Sequence, residues 1–309
     1  MRALVVTPGA EAHLALGEAP EPEAGPGRAL VAVRAVSLNR GEVKALAGQP
    51  EGTVPGWDLA GEVVAAATDG RGPATGTRVV GMVAGGAWGE RVAVPVDFLA
   101  PLPDEVPFAA AATLPVAGLT AHRAILLGDH CADGRVLVTG AAGGVGHFAL
   151  QMAAHLGATV TAVVGRPERG AELERLGATT VSVGTPEAGE FDLILESVGG
   201  ASLAAALRMV VPGGYVVSYG CSSGEPTTFD VRDFYSRSGA RLLGFQLFPE
   251  LRRAGPDAAA HDLEGLARSV ATSHLEVQVG LEVGWEDAAG AATALLDRQV
   301  VGKAVLRVE

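Results

Sequence analysis

The hydrophobic pattern of the chain changes character near residue 114. Before this point, short apolar runs at 29–36, 60–67 and 77–83 are separated by clusters of Gly, Pro and charged residues. Short runs at this spacing predict a compact antiparallel sheet or barrel. A short helix is expected at 108–112, directly after three closely spaced prolines.

From residue 114 onward, apolar runs of strand length alternate with helical patterns. Strands that alternate with helices favour an α/β fold with a parallel, doubly wound sheet. We predict strands at 135–139, 159–164, 180–183, 192–197, 214–219 and 241–245, and helices at 144–156, 168–176 and 202–209. The segment that follows predicts helices near 257–272 and 286–297 and strands near 276–279 and 303–308, and we expect it to return to the N-terminal domain.

Length and composition restrict the class of protein. A chain of 309 residues, of which 48% are hydrophobic and 19% charged, has enough apolar surface for about two domains. The net charge of -12 and the absence of a basic cluster argue against nucleic acid and anionic membranes as partners. No apolar run is long enough for a spanning helix or a signal peptide, so we expect a soluble, cytoplasmic protein.

The strongest local signal is a glycine-rich turn between a predicted strand and a predicted helix. Residues 135–158 read RVLVTGAAGGVGHFALQMAAHLGA and contain a G-x-x-G-x-x-G motif. Such a turn brings backbone N–H groups and a helix N-terminus to a pyrophosphate, and its last glycine lets the helix pack closely. The other interpretation is an ordinary tight turn. The residues predicted to bind the dinucleotide here are Gly140, Ala142, Gly143, Gly144, Val145 and Gly146.

The residues after the second strand of this unit favour NADP(H) over NAD(H). No carboxylate stands at the end of 159–164, where it would bind the ribose hydroxyls of NAD. Instead, Gly165 leaves room and Arg166 supplies a guanidinium suited to a phosphate. Glu168 is the alternative ribose ligand, and it would reverse this preference. Ligands of such sheets lie at the carboxyl ends of the strands, which adds Ser197, Val198, Tyr219 and Gly220 as candidate cofactor contacts.

Several passages in a fixed order carry a family resemblance. They include AVSLNRGEVKALAG (35–48), VPGWDLAGEVV (54–64), TLPVAGLTAHRAI (113–125), FDLILESVGG (191–200) and VGKAVLRV (301–308), together with the glycine-rich turn. With them the whole chain resembles the medium-chain dehydrogenase/reductases, in the zinc-free quinone oxidoreductase branch. The resemblance implies a GroES-like, β-barrel-like catalytic domain at 1–115 and 257–309, and a Rossmann domain that binds NADP(H) at 116–256. It also implies a nicotinamide cleft and a homodimer formed through the edge of the Rossmann sheet.

The resemblance also bears on zinc. Zinc-dependent relatives hold the catalytic metal with Cys, then His, then Cys or a carboxylate, and the matching places here read Asn39, Trp57 and Val116. Indole and isopropyl groups cannot ligate zinc, and a lone amide is a poor ligand. The only cysteines, Cys131 and Cys221, are too few for the relatives' structural zinc site. We therefore predict no metal.

The resemblance provides candidate residues for the chemistry, at the positions of this sequence that match the family's passages. Asn39 is expected to face the nicotinamide cleft and to donate to a substrate oxygen or a ribose, although it could simply cap a turn. Trp57 is a candidate substrate wall or a packing residue. Asp58 is a candidate orienting group or a buried carboxylate that satisfies its own loop.

Other charged or polar positions carry weaker expectations. Thr120 is expected to bond the nicotinamide-side ribose or phosphate, and Lys303 to reach the pyrophosphate. Arg40 and Glu42 are expected to pair with each other in solvent if they have no role in the site. His147, at the start of the first helix of the central unit, is expected to face solvent, and the alternative is that it approaches a phosphate.

The predicted function is hydride transfer from NADPH to a quinone or an α,β-unsaturated carbonyl. Without a zinc Lewis acid, acceptors that take hydride readily are favoured. A non-catalytic NADPH-binding sensor or stress protein is one alternative, and an enoyl thioester reductase is another. Related enoyl reductases often carry a proton-donating Tyr near 39–48, and this chain has none there.

Overall fold

The structure is a computed structural model that describes residues 1–128, 132–186 and 188–308. Cys131 lies outside the described residues. The chain divides into two compact units. Unit 1 combines Met1–Leu119 with Leu251–Glu309, and unit 2 is Thr120–Glu250.

The strands follow one another in two groups, with the central group in unit 2. They are β1 (Arg2–Val6), β2 (Leu14–Glu18), β3 (Arg28–Leu38), β4 (Asp58–Ala65), β5 (Arg78–Met82), β6 (Arg91–Pro95), β7 (Leu99–Pro101), β8 (Arg135–Thr139), β9 (Thr159–Val164), β10 (Ala178–Val183), β11 (Phe191–Glu196), β12 (Val210–Ser218), β13 (Arg241–Gly244), β14 (Val279–Gly284) and β15 (Lys303–Arg307).

In the described part of the chain, the helices range from 4 to 14 residues in length. They are α1 (Arg40–Ala45), α2 (Phe108–Ala111), α3 (Leu119–Leu127), α4 (Gly144–His155), α5 (Gly200–Met209), α6 (Val231–Tyr235), α7 (Leu247–Ala254), α8 (Ala258–Ala271) and α9 (Ala288–Leu296). A π-type turn, Leu114–Gly118, precedes α3.

The main sheet of unit 1 joins strands from both segments of the chain. Its order is β14-β15-β3-β4-β5-β7, and β6 pairs with the other end of the long strand β3. All of these pairs are antiparallel except β14 with β15. Apolar side chains from the sheet, β1 and α9 form the buried core, with Trp88 and Trp285 as its largest members. The predicted β-rich domain, with the tail returned to it, is confirmed.

The sheet of unit 2 is parallel throughout, in the order β10-β9-β8-β11-β12-β13. Residues 136–139 of β8 and 193–196 of β11 are almost completely buried, as is typical of a parallel sheet with helices on its faces. This confirms the predicted doubly wound α/β fold. β10 and β13 are the two edges of this sheet, and a homodimer through the sheet edge stays a prediction.

Two predicted elements are wrong. Residues 168–176 do not form an α-helix: a single 3-10 turn covers Pro167–Gly170, and tight turns follow it. A Cβ at Gly170 would lie 2.7 Å from Val181 Cγ1, so this segment packs close to β10 at Gly170. The strand expected near 276–279 begins only at Val279.

No helix in the described ranges combines the length and the apolar character that crossing a lipid bilayer requires.

Candidate functional site

Three neighbouring strands of unit 1 bring polar side chains together inside the sheet. Ser37 in β3 lies opposite Asp58 in β4, and β15, which begins with Lys303, pairs with the same end of β3. The Asp58 carboxylate is fully buried and accepts from Ser37 Oγ at 2.7 Å and from Lys303 Nζ at 3.4 Å. Its other oxygen accepts from the backbone N–H of Val116 at 2.9 Å. Ser37, Asn39, Glu42, Asp58 and Lys303 form what we call the polar cluster.

The Asn39 amide is fully engaged as a donor within the polar cluster. Its Nδ2 donates to Asp58 Oδ2 at 2.7 Å and to Glu42 Oε1 at 3.0 Å, and its Oδ1 accepts from Lys303 Nζ at 2.6 Å. The network fixes the amide orientation, since an ammonium can only donate and carboxylates accept. The predicted donation to a substrate or ribose oxygen is therefore not supported.

Glu42 caps helix α1 and is buried, with 1% of its surface exposed. Its Oε1 accepts from the backbone N–H of Asn39 at 2.6 Å, and its Oε2 is buried without a hydrogen bond among the described residues. Burial, followed by the negative charge of Asp58, raises the pKa of Glu42 from its ordinary value of 4.5 to about 8. The expected pairing of Glu42 with Arg40 in solvent is wrong, and Arg40 donates instead to the carbonyl oxygen of Leu295 at 3.0 Å.

The raised pKa of Glu42 makes the stability of the protein depend on pH. The folded protein binds this proton more tightly than the unfolded chain, so the associated stability is complete below about pH 4.5 and is lost as the pH rises to about 8. We expect Glu42→Gln to remove this dependence. Its stability relative to wild type should rise across that window by at most about 1.4 kcal/mol per pH unit.

Urea unfolding at a series of pH values measures this effect. Glu51→Gln, a change at an exposed position of the neighbouring loop, is the control and should follow wild type. A constant difference between Glu42→Gln and wild type from pH 5 to 8 would contradict the assignment of the titrating group.

The residues at the places of the relatives' zinc ligands lie around the polar cluster. Trp57 is half-buried against α1, since a Cβ at Gly41 would lie 3.5 Å from its ring, so it packs on the helix that carries Glu42. Val116 belongs to the π-type turn, and its N–H binds Asp58. Within the described ranges, no three or more His, Cys, Asp or Glu side chains are grouped to hold a metal ion.

The contacts of Lys303 differ from the contact with a pyrophosphate that we expected. Its side chain is 4% exposed, and its three ammonium hydrogens are taken by the carbonyl oxygen of Leu38 at 3.0 Å, by Asn39 and by Asp58. No donor remains for a phosphate. Lys303 is therefore the cation of the polar cluster, and the prediction of a cofactor contact is not supported.

The glycine-rich turn of unit 2 has the backbone geometry that its motif requires. Gly140 has a φ of +63°, and a Cβ there would lie 2.6 Å from Ser197 Oγ. A Cβ at Gly146 would lie 2.7 Å from the Cα of Ala141 and closer still to the carbonyl oxygen of Gly140. Helix α4 thus packs directly on the turn, and only glycine permits this approach. We call residues 140–146 the glycine cradle.

The N-terminus of α4 is open to a ligand. Gly143 is its N-cap and supplies no side-chain acceptor, so the first N–H groups of the helix, which include those of Gly144, Val145 and Gly146, lack partners within it. Ala142 is buried in the same turn. This arrangement suits a phosphate, because uncapped N–H groups and the helix dipole both favour an anion.

Glu196, which the sequence analysis missed, holds the loop beside the glycine cradle. It ends β11, is fully buried, and accepts from the N–H groups of Val198 at 2.9 Å and Gly199 at 3.0 Å and from Ser202 Oγ at 2.9 Å. Ser197 Oγ in turn donates to the carbonyl oxygen of Thr139 at 2.9 Å. An acid that ends a buried strand directly before a Ser-Val-Gly-Gly turn was the available signal.

The other candidate cofactor residues also lie in unit 2. Gly220 packs on Ser197, since its Cβ would lie 2.8 Å from the Ser197 carbonyl oxygen. Burial raises the pKa of Tyr219, whose hydroxyl lies beside Ser197 without a hydrogen bond of good geometry in the described chain. Gly165 borders open space, Arg166 and Glu168 are exposed, and Thr120 is buried at the start of the unit.

His147 does not face solvent as expected. Its side chain is 3% exposed, and its ring packs edge-on against Phe148 at a centroid distance of 5.9 Å. The apolar face of α4 therefore extends to the first turn of the helix.

Two family descriptions match the chain, one in each unit. Residues 25–104 match the family described as "Alcohol dehydrogenase GroES-like domain". Residues 144–254 match the family described as "Zinc-binding dehydrogenase".

Curated relatives agree with these matches. Acrylyl-CoA reductase AcuI of Ruegeria pomeroyi is 34% identical over 82% of this chain and 81% of its own length. Putative quinone oxidoreductase YhfP of Bacillus subtilis is 31% identical over 74% of this chain and 72% of its own length. The spectinabilin polyketide synthase system protein NorB of Streptomyces orinoci is 36% identical over 79% of this chain, and the match spans only 12% of that protein.

Solved structures extend the similarity over the whole chain. The mycobacterial protein Rv1454c, solved in complex with NADPH, has a TM-score of 0.88 and 26% identity over 99% of this chain and 100% of its own. A structure described as an NAD-dependent alcohol dehydrogenase has the same TM-score and identity, with full coverage of both chains. The chain belongs to the medium-chain dehydrogenase/reductase superfamily, in its quinone oxidoreductase-like branch, as the resemblance predicted.

Proposed function

We propose that this chain is an NADP(H)-dependent oxidoreductase that reduces a quinone or an α,β-unsaturated carbonyl compound without a catalytic zinc ion. The observation that carries the proposal is the chemistry at the three places where zinc-dependent relatives have ligands. The amide N–H groups of Asn39 donate to Asp58 and Glu42. Trp57 and Val116 have no group that binds zinc. Acceptors that need no Lewis acid to take a hydride fit such a site best.

The residues of unit 2 fit a nicotinamide dinucleotide. The uncapped N–H groups of the glycine cradle would hold the pyrophosphate, and the open space at Gly165 would admit a ribose with its phosphate beside Arg166. The buried Tyr219 hydroxyl, which makes no well-formed hydrogen bond with the described residues, is a further polar group available to the cofactor. When bound, NADPH supplies the hydride.

The residues of unit 1 would orient the acceptor rather than exchange protons with it. The ion pair of Lys303 with Asp58 and the capping box between Glu42 and Asn39 hold the Asn39 amide in one orientation. We propose that the proton that completes the reduction comes from solvent.

The choice of coenzyme is tested at Arg166. Wild type should consume NADPH faster than NADH with 1,4-benzoquinone or an enone, because the guanidinium pairs with the extra phosphate. Arg166→Ala should raise the KM for NADPH about tenfold and leave that for NADH unchanged, since a charged hydrogen bond contributes about 1.5–3 kcal/mol. Arg232→Ala, at an exposed position of the same unit, is the control. Equal rates with both coenzymes in wild type would contradict the preference for NADPH.

A second candidate function is reduction of an α,β-unsaturated thioester. The identity of 34% with acrylyl-CoA reductase AcuI, over four fifths of both chains, supports it. An acryloyl or crotonyl thioester in the same assay decides between the candidates by kcat/KM. NADPH binding without turnover of any acceptor would favour the non-catalytic alternative.

A further inference from the structure

We propose that Glu42 is a positioning residue for Asn39, and that a proton on the Glu42 carboxyl group keeps the Asn39 amide in the orientation that the site uses. The part of this inference that concerns turnover rests on the proposed function. The part that concerns the proton and the amide rests on the polar cluster alone.

The geometry places one amide group between two carboxyl groups. Asn39 Nδ2 donates to Glu42 Oε1 at 3.0 Å and to Asp58 Oδ2 at 2.7 Å. The amide oxygen accepts from Lys303 Nζ at 2.6 Å. A change in either carboxyl group therefore acts directly on the orientation of the amide.

The charges of the polar cluster balance only when one carboxyl group carries a proton. The charged groups that face Glu42 are Asp58 from β4 and Lys303 from β15. Helix α9, which packs against α1, has no titratable side chain, and Lys44 on α1 is exposed. With Glu42 protonated, one carboxylate faces one ammonium. With Glu42 ionised, a buried negative charge is left over, which is unfavourable in a medium of low polarity.

The hydrogen-bond pattern places the proton on Glu42 rather than on Asp58. Both oxygens of Asp58 accept hydrogen bonds, whereas Glu42 Oε2 is buried and accepts none in the described chain. An ionised oxygen buried without a donor among the described residues is more costly than a neutral hydroxyl buried without an acceptor. The pKa of Glu42, raised to about 8, agrees with this assignment.

Loss of the proton should disturb Asn39. The second carboxylate repels Asp58 across the shared amide and draws in water to solvate Oε2. The Glu42 carboxylate should then move away from Asp58, and Asn39 Nδ2 should lose one of the two acceptors that fix the amide.

A direct test uses the fact that Asn39 is the only asparagine in the chain. In protein labelled with 15N-asparagine, the single side-chain amide is followed by NMR from pH 6 to 9.5, without substrate or cofactor. The wild-type signal should shift with an inflection near pH 8. In Glu42→Gln, which mimics the protonated acid, the signal should stay constant near its low-pH position. Glu51→Gln, at an exposed position, should titrate like wild type.

Two results would overturn the inference: a wild-type signal that does not change, or an inflection that persists unaltered in Glu42→Gln. If Glu42→Gln does not fold, Glu42→Asp serves in its place. It moves the titrating group by one methylene, so the inflection should shift, and an unchanged inflection would likewise overturn the inference.

The kinetic test separates positioning from a merely structural role. In wild type, kcat/KM for the acceptor should fall about tenfold per pH unit above pH 8, whereas Glu42→Gln should show no such fall and an unchanged KM for NADPH. A fall that is identical in both proteins would overturn the role in turnover. Absence of turnover with every acceptor would refute the proposed function, and the NMR titration would still decide whether the proton controls Asn39.

Discussion

Gly146→Ala should weaken NADPH binding about 5- to 150-fold, because the added methyl group separates helix α4 from the turn that it packs on. A Cβ there would lie 2.7 Å from the Cα of Ala141, and overpacking against backbone costs about 1–3 kcal/mol. The whole helix N-terminus is displaced, so its N–H groups no longer point together at a bound phosphate. Titration of NADPH fluorescence measures the affinity.

Gly244→Ala is the matched control for this experiment. Gly244 lies in β13 of the same unit, and a Cβ there meets nothing within 4 Å. This variant should bind NADPH like wild type. If Gly146→Ala also binds NADPH with wild-type affinity, the glycine cradle does not hold the coenzyme.

Lys303→Met should lower the free energy of unfolding by about 3–5 kcal/mol, the cost typical of breaking a buried ion pair from one side. Methionine keeps the length of the side chain but leaves the Asp58 carboxylate buried without a cation. The Asn39 amide oxygen and the Leu38 carbonyl oxygen also lose their donor. Urea unfolding at pH 7 measures the loss.

The chain offers its own control, since Lys44 is its one other lysine. Lys44 is exposed on α1, and Lys44→Met should change the stability by no more than about 0.5 kcal/mol. A similarly small change in Lys303→Met would mean that Asp58 does not depend on this ammonium for its charge.

The glycine cradle could be predicted from sequence because it is a local feature. Strand, turn and helix follow one another within 135–158, and the motif itself sets the backbone conformation. The same local reasoning failed at 168–176, where helical periodicity is present but the chain forms a 3-10 turn and packs on β10 at Gly170. Tertiary contacts of this kind produce no periodic pattern of hydrophobic residues in the sequence.

The polar cluster could not be assembled from sequence because its members are far apart in the chain. Asp58 and Lys303 are separated by 245 positions, and only the pairing of β15 with β3 brings them together. The burial of Glu42 could be partly predicted from the sequence, because Asn39 and Glu42 have the spacing of a capping box. Nothing local indicated that the Asn39 amide would be shared between two carboxyl groups.

The strand order in the main sheet of unit 1 also determines the order in which parts of the chain can fold during synthesis. During translation, β3 and β4 leave the ribosome long before β15, the strand that carries Lys303. The Asp58 carboxylate therefore stays hydrated while unit 2 is synthesised and folds. Only when β15 docks beside β3 can water leave the polar cluster. The strands of unit 1 that precede unit 2 in the chain thus complete their polar cluster only after unit 2 has been made.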